Sequence, residues 1–159
     1  MKIQKLLASL CFLAATPVMA SPWILVSTSE AYTEAVTIRV DSIRHHENNS
    51  VSFWLGEVTT DKTQPHDARI SVIQANCDNQ RFQVVQINSF NEGVLVGKAN
   101  AKTNVEISLP GSMMSEAIMM ACLKNHGHFV SANFSNPKQM ATEVKAFLHD
   151  MQKEHVRKK

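Results

Sequence analysis

The hydrophobic residues recur with one period in the first part of the chain and with another in the second. Between residues 23 and 109, short apolar runs alternate with polar positions and are separated by turn residues. Alternation with period two is typical of β-strands, and connections this short place neighbouring strands antiparallel. The runs cover residues 23–26, 32–43, 51–55, 68–77, 82–90, 94–96 and 105–109. The pattern therefore predicts an antiparallel β-sheet over this part of the chain.

After Pro110 the apolar spacing becomes helical. Apolar residues at the spacing i, i+3, i+4, i+7 and i+8 form one stripe: Met114, Ala117, Ile118, Ala121 and Cys122. Ser112 is a suitable N-cap, and Lys124 and Gly127 are typical of a helix end. The sequence predicts a helix that begins after Ser112 and buries this stripe.

A second amphipathic helix is expected near the C-terminus. Asn136 and Pro137 are typical of a helix start. The apolar stripe that follows consists of Met140, Val144, Phe147, Leu148 and Met151. Beyond Met151 we expect the chain to fray. The helix either packs against the domain or binds a partner protein, a matrix molecule or an anionic lipid surface.

The first twenty residues have the composition of a Sec signal peptide. Lys2 and Lys5 precede an apolar stretch, and small residues come before a cleavage site after Ala20. The stretch is short for a membrane span, so we expect cleavage and no transmembrane span in the mature chain. Cys11 offers a lipoprotein alternative, but the bulky Leu10 precedes it where a small residue is needed.

Cleavage changes the charge of the chain. The full sequence has 16 basic and 14 acidic residues, and the loss of Lys2 and Lys5 makes the mature chain formally neutral. The net charge of the mature chain therefore does not favour binding to nucleic acid, and we expect no nucleic-acid partner. Residues 138–159 nevertheless carry a charge of about +3. Their basic residues form the candidate interaction surface: Lys138, Lys145, Lys153, Arg157, Lys158 and Lys159.

Two cysteines remain after cleavage, Cys77 and Cys122. In an oxidising compartment an isolated pair is most simply a disulfide. A redox pair is the alternative, but the two residues lack the Cys-x-x-Cys spacing that would support it. Cys77 closes a strand pattern, so the bridge would join the predicted helix to the sheet. The sequence thus predicts an α+β fold: an antiparallel sheet with a disulfide-linked helix, plus a C-terminal helix.

The sequence contains few patterns that are typical of catalytic or metal-binding sites. His126 and His128 form a weak metal candidate, because His-x-His can chelate but a closed site needs three or four ligands. No nucleophile elbow or glycine-rich phosphate loop occurs, and the carboxylates are scattered at turns. We expect a protein without a cofactor that is not an enzyme.

Several short motifs together resemble the bacterial surface-adhesin protein E family. They include residues 51–55 (Val-Ser-Phe-Trp-Leu), residues 76–78 around Cys77, and Pro110-Gly111-Ser112 followed by Cys122. The resemblance covers about residues 21–123. It implies an antiparallel sheet with a helix clamped to it by a disulfide, and a location in the Gram-negative envelope. The named adhesin is a surface lipoprotein, and the weak lipidation signal here puts such an anchor in doubt.

These observations divide the chain into a cleaved signal peptide (1–20), an adhesin E-like α+β domain (21–134) and a basic helix or tail (135–159). The leading hypothesis is an exported, non-enzymatic binding protein, periplasmic or at the cell surface. Its partner would be a protein of the host matrix or an envelope component. The alternatives are a periplasmic metal-handling protein or enzyme, and an accessory subunit of an envelope or secretion assembly.

Overall fold

The computed structural model describes residues 21–100, 103–124 and 131–158. These residues form one eight-stranded antiparallel sheet and two helices. The strands are β1 (Ser21–Thr28), β2 (Glu34–His46), β3 (Ser50–Thr59), β4 (Ala68–Asn76), β5 (Arg81–Asn91), β6 (Val94–Ala99), β7 (Glu106–Ile107) and β8 (Ser131–Phe134). The helices are α1 (Met113–Cys122) and α2 (Pro137–Arg157). The predicted α+β fold class is confirmed.

The sheet follows the order of the chain except at its ends. Its spatial order is β6-β5-β4-β3-β2-β1-β8, and β7 also pairs with β5. Asn48 and Asn49 turn the chain between β2 and β3 with φ values of 57° and 52°. Glu92 and Gly93 do the same between β5 and β6, with φ values of 51° and 82°. Positive φ at two successive residues is the geometry of a type I′ hairpin turn, and both turns lie where the sequence predicts them.

Each face of the sheet is covered by one helix. α1 packs against a core that includes Ile24, Ile38, Phe53 and Ile73. α2 packs on the opposite face, against Trp23, Ala35, Val58 and Ala68. Because both faces are buried, four consecutive residues of β2, at positions 35–38, are all buried. The sheet is therefore the middle layer of a helix–sheet–helix stack.

The predicted disulfide joins α1 to the sheet. Cys77 follows β4, Cys122 is the last residue of α1, and their Cα atoms are 5.8 Å apart. Ser112 caps the helix as expected, because its Oγ accepts a hydrogen bond from Ser115 N at 3.2 Å. Ser115 Oγ donates in turn to Gln80 Oε1 at 2.6 Å. The turn after β4 is thus linked to the end of α1 by the disulfide and to its start by a hydrogen bond.

α2 differs from its prediction in two respects. It continues through Met151 to Arg157, where fraying was expected, and this part of the helix contacts the domain. Gln152 Nε2 donates to Tyr32 O at 3.0 Å, and the His155 ring lies 5.8 Å from the Tyr32 ring. Phe147 is 40% exposed, whereas Ala141 takes the buried position beside Val144. The stripe that meets the sheet is therefore turned slightly from the one predicted.

The last strand predicted before α1 is shorter than expected. β7 contains only Glu106–Ile107, and the neighbouring Val105 and Leu109 are 61% and 74% exposed. α1 contacts β1, β2 and β3, and α2 contacts β2, β3, β4 and β8, so neither helix covers this edge. A further strand, β8, starts at Ser131 and precedes α2. Among the described residues, neither α1 nor α2 combines the length and the hydropathy that a membrane-spanning helix needs.

Candidate binding surface

α2 covers only part of its face of the sheet. Its buried residues lie over Ala35, Gly56, Val58 and Ile70, toward one end of the strands. Strand register places a second set of side chains on the same face, beyond the helix. We call this set the open half: Arg39, Arg44, His46, Ser52, Trp54, Val72, Gln74, Gln83, Gln86, Asn88 and Lys98.

Trp54 lies at the centre of the open half and is 39% exposed. It pairs with Arg39 across β2 and β3, and with Val72 across β3 and β4. The guanidinium carbon of Arg39 is 5.1 Å from the centre of the Trp54 ring, a cation–π contact. Asp41 accepts hydrogen bonds from Arg39 Nε at 2.6 Å and from Nη2 at 3.1 Å, so the guanidinium is held by two bonds.

A bulge in β2 positions the Arg39–Trp54 pair. Regular pairing of β2 with β3 stops after Arg39 and resumes at Arg44. Ser42 spans the gap, because its Oγ donates to Arg39 O at 2.6 Å and accepts from Trp54 N at 2.8 Å. Bulges often redirect a side chain near a functional site. Here the bulge also brings Asp41 within reach of Arg39.

Two depressions meet at Arg39 and Trp54. The first, of about 390 Å³, extends toward the start of α2 and is lined by Trp23, Phe90 and Pro137 among others. The second, of about 350 Å³, extends the other way, along Asp41, Ser42, Arg44, Ser52 and Val72. The Arg39–Trp54 pair therefore separates two adjoining spaces on one continuous surface.

Amide side chains occupy the part of the open half on β4 and β5. Gln83 Nε2 donates to Gln74 Oε1 at 2.8 Å, and Gln86 Nε2 donates to Asn88 Oδ1 at 3.3 Å. A primary amide has two donor hydrogens and an acceptor oxygen, so each pair keeps further hydrogen-bonding groups for a ligand. These side chains can therefore recognise polar groups that both donate and accept.

The open half carries an excess of positive charge. Arg44 Nη1 donates to the main-chain oxygens of Asp41 and Ile43, at 2.8 and 2.9 Å. Both acceptors are neutral carbonyl groups, so these two bonds do not neutralise the charge of Arg44. Lys98 is exposed on β6, opposite Asn88. Among the described residues that line the two depressions, Asp41 is the one acid, and it already binds Arg39.

A smaller cavity, of about 170 Å³, lies on the α1 face and includes Glu34, Glu57, His66 and Arg69 in its lining. Burial raises the pKa of Glu57 above its ordinary 4.5, with Arg69 opposing and Glu34 reinforcing the shift. Burial also lowers the pKa of His66 below 6.5, helped by Arg69 and opposed by Asp67. The cavity thus favours uncharged Glu57 and His66.

The predicted cationic surface on α2 is only partly available. Lys145 Nζ binds Asp67 Oδ2 at 2.7 Å and ties the helix to the domain. Lys158 binds Glu154 within the helix. Lys138, Lys153 and Arg157 are exposed, and the first and last of these are about 28 Å apart along a helix. Lys159 lies outside the described residues. The structure therefore does not gather these side chains into one patch.

The weak metal candidates, His126 and His128, also lie outside the described residues. Within the described ranges, no group of three or more His, Cys, Asp or Glu side chains could hold a metal ion. Cys77 and Cys122 are both used by the disulfide.

Sequence reasoning missed the open half. Its central residues, at positions 39, 54, 72 and 86, come from four strands and meet only through strand register. The sequence does contain one indication of this surface. Trp54 is an aromatic residue at a position of β3 where the alternation predicts a polar, outward-facing side chain. Comparison with known proteins yields no match to any family model, curated protein or solved structure.

Proposed function

We propose that this chain is an exported, non-enzymatic binding protein and that the open half is its binding surface. The partner is a macromolecule of the envelope or of the host matrix. One observation carries the proposal: a large aromatic ring, Trp54, stays 39% exposed on a sheet face whose other half is buried under α2. Exposed aromatic and arginine side chains held in place by their neighbours are typical of binding surfaces.

Export is supported by the disulfide. A bridge between two cysteines 45 positions apart is expected in an oxidising compartment and is compatible with the predicted signal peptide. The same feature supports kinship with the surface-adhesin protein E family, which we retain as part of the proposal. The resemblance implies a helix clamped to an antiparallel sheet, and α1 is held in that way.

The shape of the open half favours binding over catalysis. Many enzyme sites enclose most of a small substrate in one cleft, whereas the open half is one side of a sheet on which two depressions adjoin. Its charged and amide groups are held by one another, as in the Arg39–Asp41 and Gln83–Gln74 pairs. Such a surface suits an extended partner better than an enclosed substrate.

A photo-crosslinking experiment in the native cell tests this proposal. A benzophenone amino acid is placed at Gln86, within the open half, and separately at Met119, which is 50% exposed on α1. Benzophenone inserts into C–H bonds of proteins and of glycans alike. We expect a discrete heavier adduct from Gln86 and none from Met119, because only the first position faces the proposed partner.

A third position separates this proposal from the accessory-subunit alternative. β6 is an edge strand with three successive exposed apolar residues, Val94, Leu95 and Val96, which could pair with a strand of another subunit. A crosslink from Val96 without one from Gln86 would contradict binding through the open half and support the accessory-subunit function. Equal crosslinking from Gln86 and Met119 would also contradict it.

A further inference from the structure

The chemistry of the open half narrows the class of partner. A protein interface is usually built around buried apolar anchors, with charged and amide groups at its rim. The open half shares Trp and Arg anchors with protein interfaces, but Val72 is the one aliphatic side chain among its members, and the others carry guanidinium, imidazole, amide, hydroxyl or ammonium groups. Such a surface matches a ligand that is itself covered with polar groups.

Three contributions on this surface are complementary to an anionic sugar chain. Trp54 is 39% exposed, and the face of its ring that does not meet the Arg39 guanidinium can stack on the apolar face of a pyranose. The Gln74–Gln83 and Gln86–Asn88 pairs offer donors and acceptors, and sugar hydroxyls need both. Arg44 and Lys98 offer positive charge to carboxylate or sulfate groups.

The dimensions also favour a chain over a single small molecule. From Arg44 on β2 to Gln86 on β5 the open half crosses three strand spacings, which is about 14 Å. The two depressions continue on either side of the Arg39–Trp54 pair. A short oligomer can therefore occupy both depressions while one of its units rests on the indole.

Single-stranded nucleic acid is a poorer match for this surface. Its non-specific binding sites stack successive bases on several aromatic side chains. Among the described residues of the open half, Trp54 is the single aromatic ring. Of the aromatic residues that line the depression beside it, Trp23 and Phe134 are only 6% and 7% exposed, and Phe90 is partly buried. The abundance of amides over aromatic rings points to hydroxyl recognition.

We infer that the open half binds an anionic glycan, with Trp54 stacking on a sugar ring, the amides of β4 and β5 binding hydroxyls, and Arg44 and Lys98 binding its acid groups. This inference rests on the proposed function and names its partner class. Either a uronic acid or a sulfated sugar can supply the acid group, since both present an oxyanion to the same cations.

The experiment is calorimetric titration of the oxidised mature protein, residues 21–159. The anionic probes are a galacturonic acid tetrasaccharide and a sulfated heparin tetrasaccharide, and the comparison of the two distinguishes carboxylate from sulfate. Maltotetraose is the neutral sugar control, and tetra-aspartate is the anionic control without sugar. We expect at least one anionic tetrasaccharide to bind about tenfold or more tightly than either control.

Matched variants assign the binding to the open half. Trp54→Ala is expected to lower the affinity for the anionic tetrasaccharide about tenfold, which is the usual effect of losing one aromatic stacking contact. Arg44→Ala is expected to lower this affinity about threefold or more and to make the binding less dependent on salt concentration. Phe147→Ala removes a ring of nearly equal exposure, 40%, from α2 and is expected to leave the affinity unchanged. Circular dichroism and thermal melting confirm that each variant is folded.

The outcomes separate the glycan inference from the proposed function. Failure of both anionic tetrasaccharides to bind overturns the inference, as does tetra-aspartate binding equally well. Binding that Trp54→Ala leaves unchanged overturns it too. If the Gln86 crosslink forms in the cell while both tetrasaccharides fail, the open half is still a binding surface and only the glycan assignment is wrong. If the tetrasaccharides fail and Gln86 gives no crosslink, the proposed function is wrong as well.

Discussion

Replacing both Cys77 and Cys122 by serine is expected to lower the free energy of unfolding by about 4 kcal/mol. The bridge spans 45 positions, and a closed loop of that length removes much of the conformational freedom of the unfolded chain. Small domains are stable by only about 5–15 kcal/mol in total. The double variant is therefore expected to unfold at a much lower urea concentration and to be marginal at physiological temperature.

Urea denaturation of the oxidised protein, the reduced protein and the double serine variant gives the measurement. Replacing both residues avoids a free thiol, and the reduced wild-type protein controls for the serine hydroxyls. We expect the reduced protein and the variant to agree within about 1 kcal/mol. A variant as stable as the oxidised protein would show that Ser112, Ser115 and Gln80 hold α1 on the sheet without the bridge.

Substituting Gly56 by alanine is expected to destabilise the protein by about 2–3 kcal/mol and to loosen α2. A Cβ at this position would lie 2.5 Å from Thr37 Oγ1 and 2.9 Å from both Met140 Sδ and Trp23 Cζ3. Thr37 and Met140 are each 1% exposed, so the neighbours have little space into which to move. The added methyl group must push the helix away from the sheet.

Gly97→Ala is the matched control for this substitution. Gly97 is also a strand glycine, but among the described residues its Cβ would meet only Ser89, at 3.7 Å or more. We expect this variant to change stability by less than about 1 kcal/mol. Hydrogen exchange adds a local measurement, in which Gly56→Ala accelerates exchange in α2 more than in α1. Equal stability of the two variants would contradict the close packing of α2 on β3.

The parts of the fold that the sequence predicts are those set by local chemistry. The turns at Asn48–Asn49 and Glu92–Gly93, the cap at Ser112 and the strand alternation all depend on neighbouring residues. The disulfide was also predictable, because cleavage of the expected signal peptide would remove Cys11 and leave two cysteines, which allow a single pairing. Local signals therefore gave the correct class and most of the elements.

The features that escaped prediction depend on contacts between distant segments. Phe147 has the spacing of a core residue, but the rotation of α2 on the sheet leaves it 40% exposed. Lys145 resembles a free surface cation until Asp67, far away in sequence, is seen to bind it. The open half is the clearest case, since Arg39 and Trp54 become neighbours only through the register of β2 and β3.

The central claim is that a partner covers the open half where the protein works. Hydroxyl-radical footprinting tests it most directly, by comparing oxidation of Trp54 in intact cells with its oxidation in the purified protein. Met119 and Phe147, at 50% and 40% exposure, serve as internal controls on other surfaces. The expected result is several-fold protection of Trp54 in cells with both controls oxidised equally in the two samples. Trp54 oxidised as readily in cells as in the purified protein, relative to these controls, would contradict the claim.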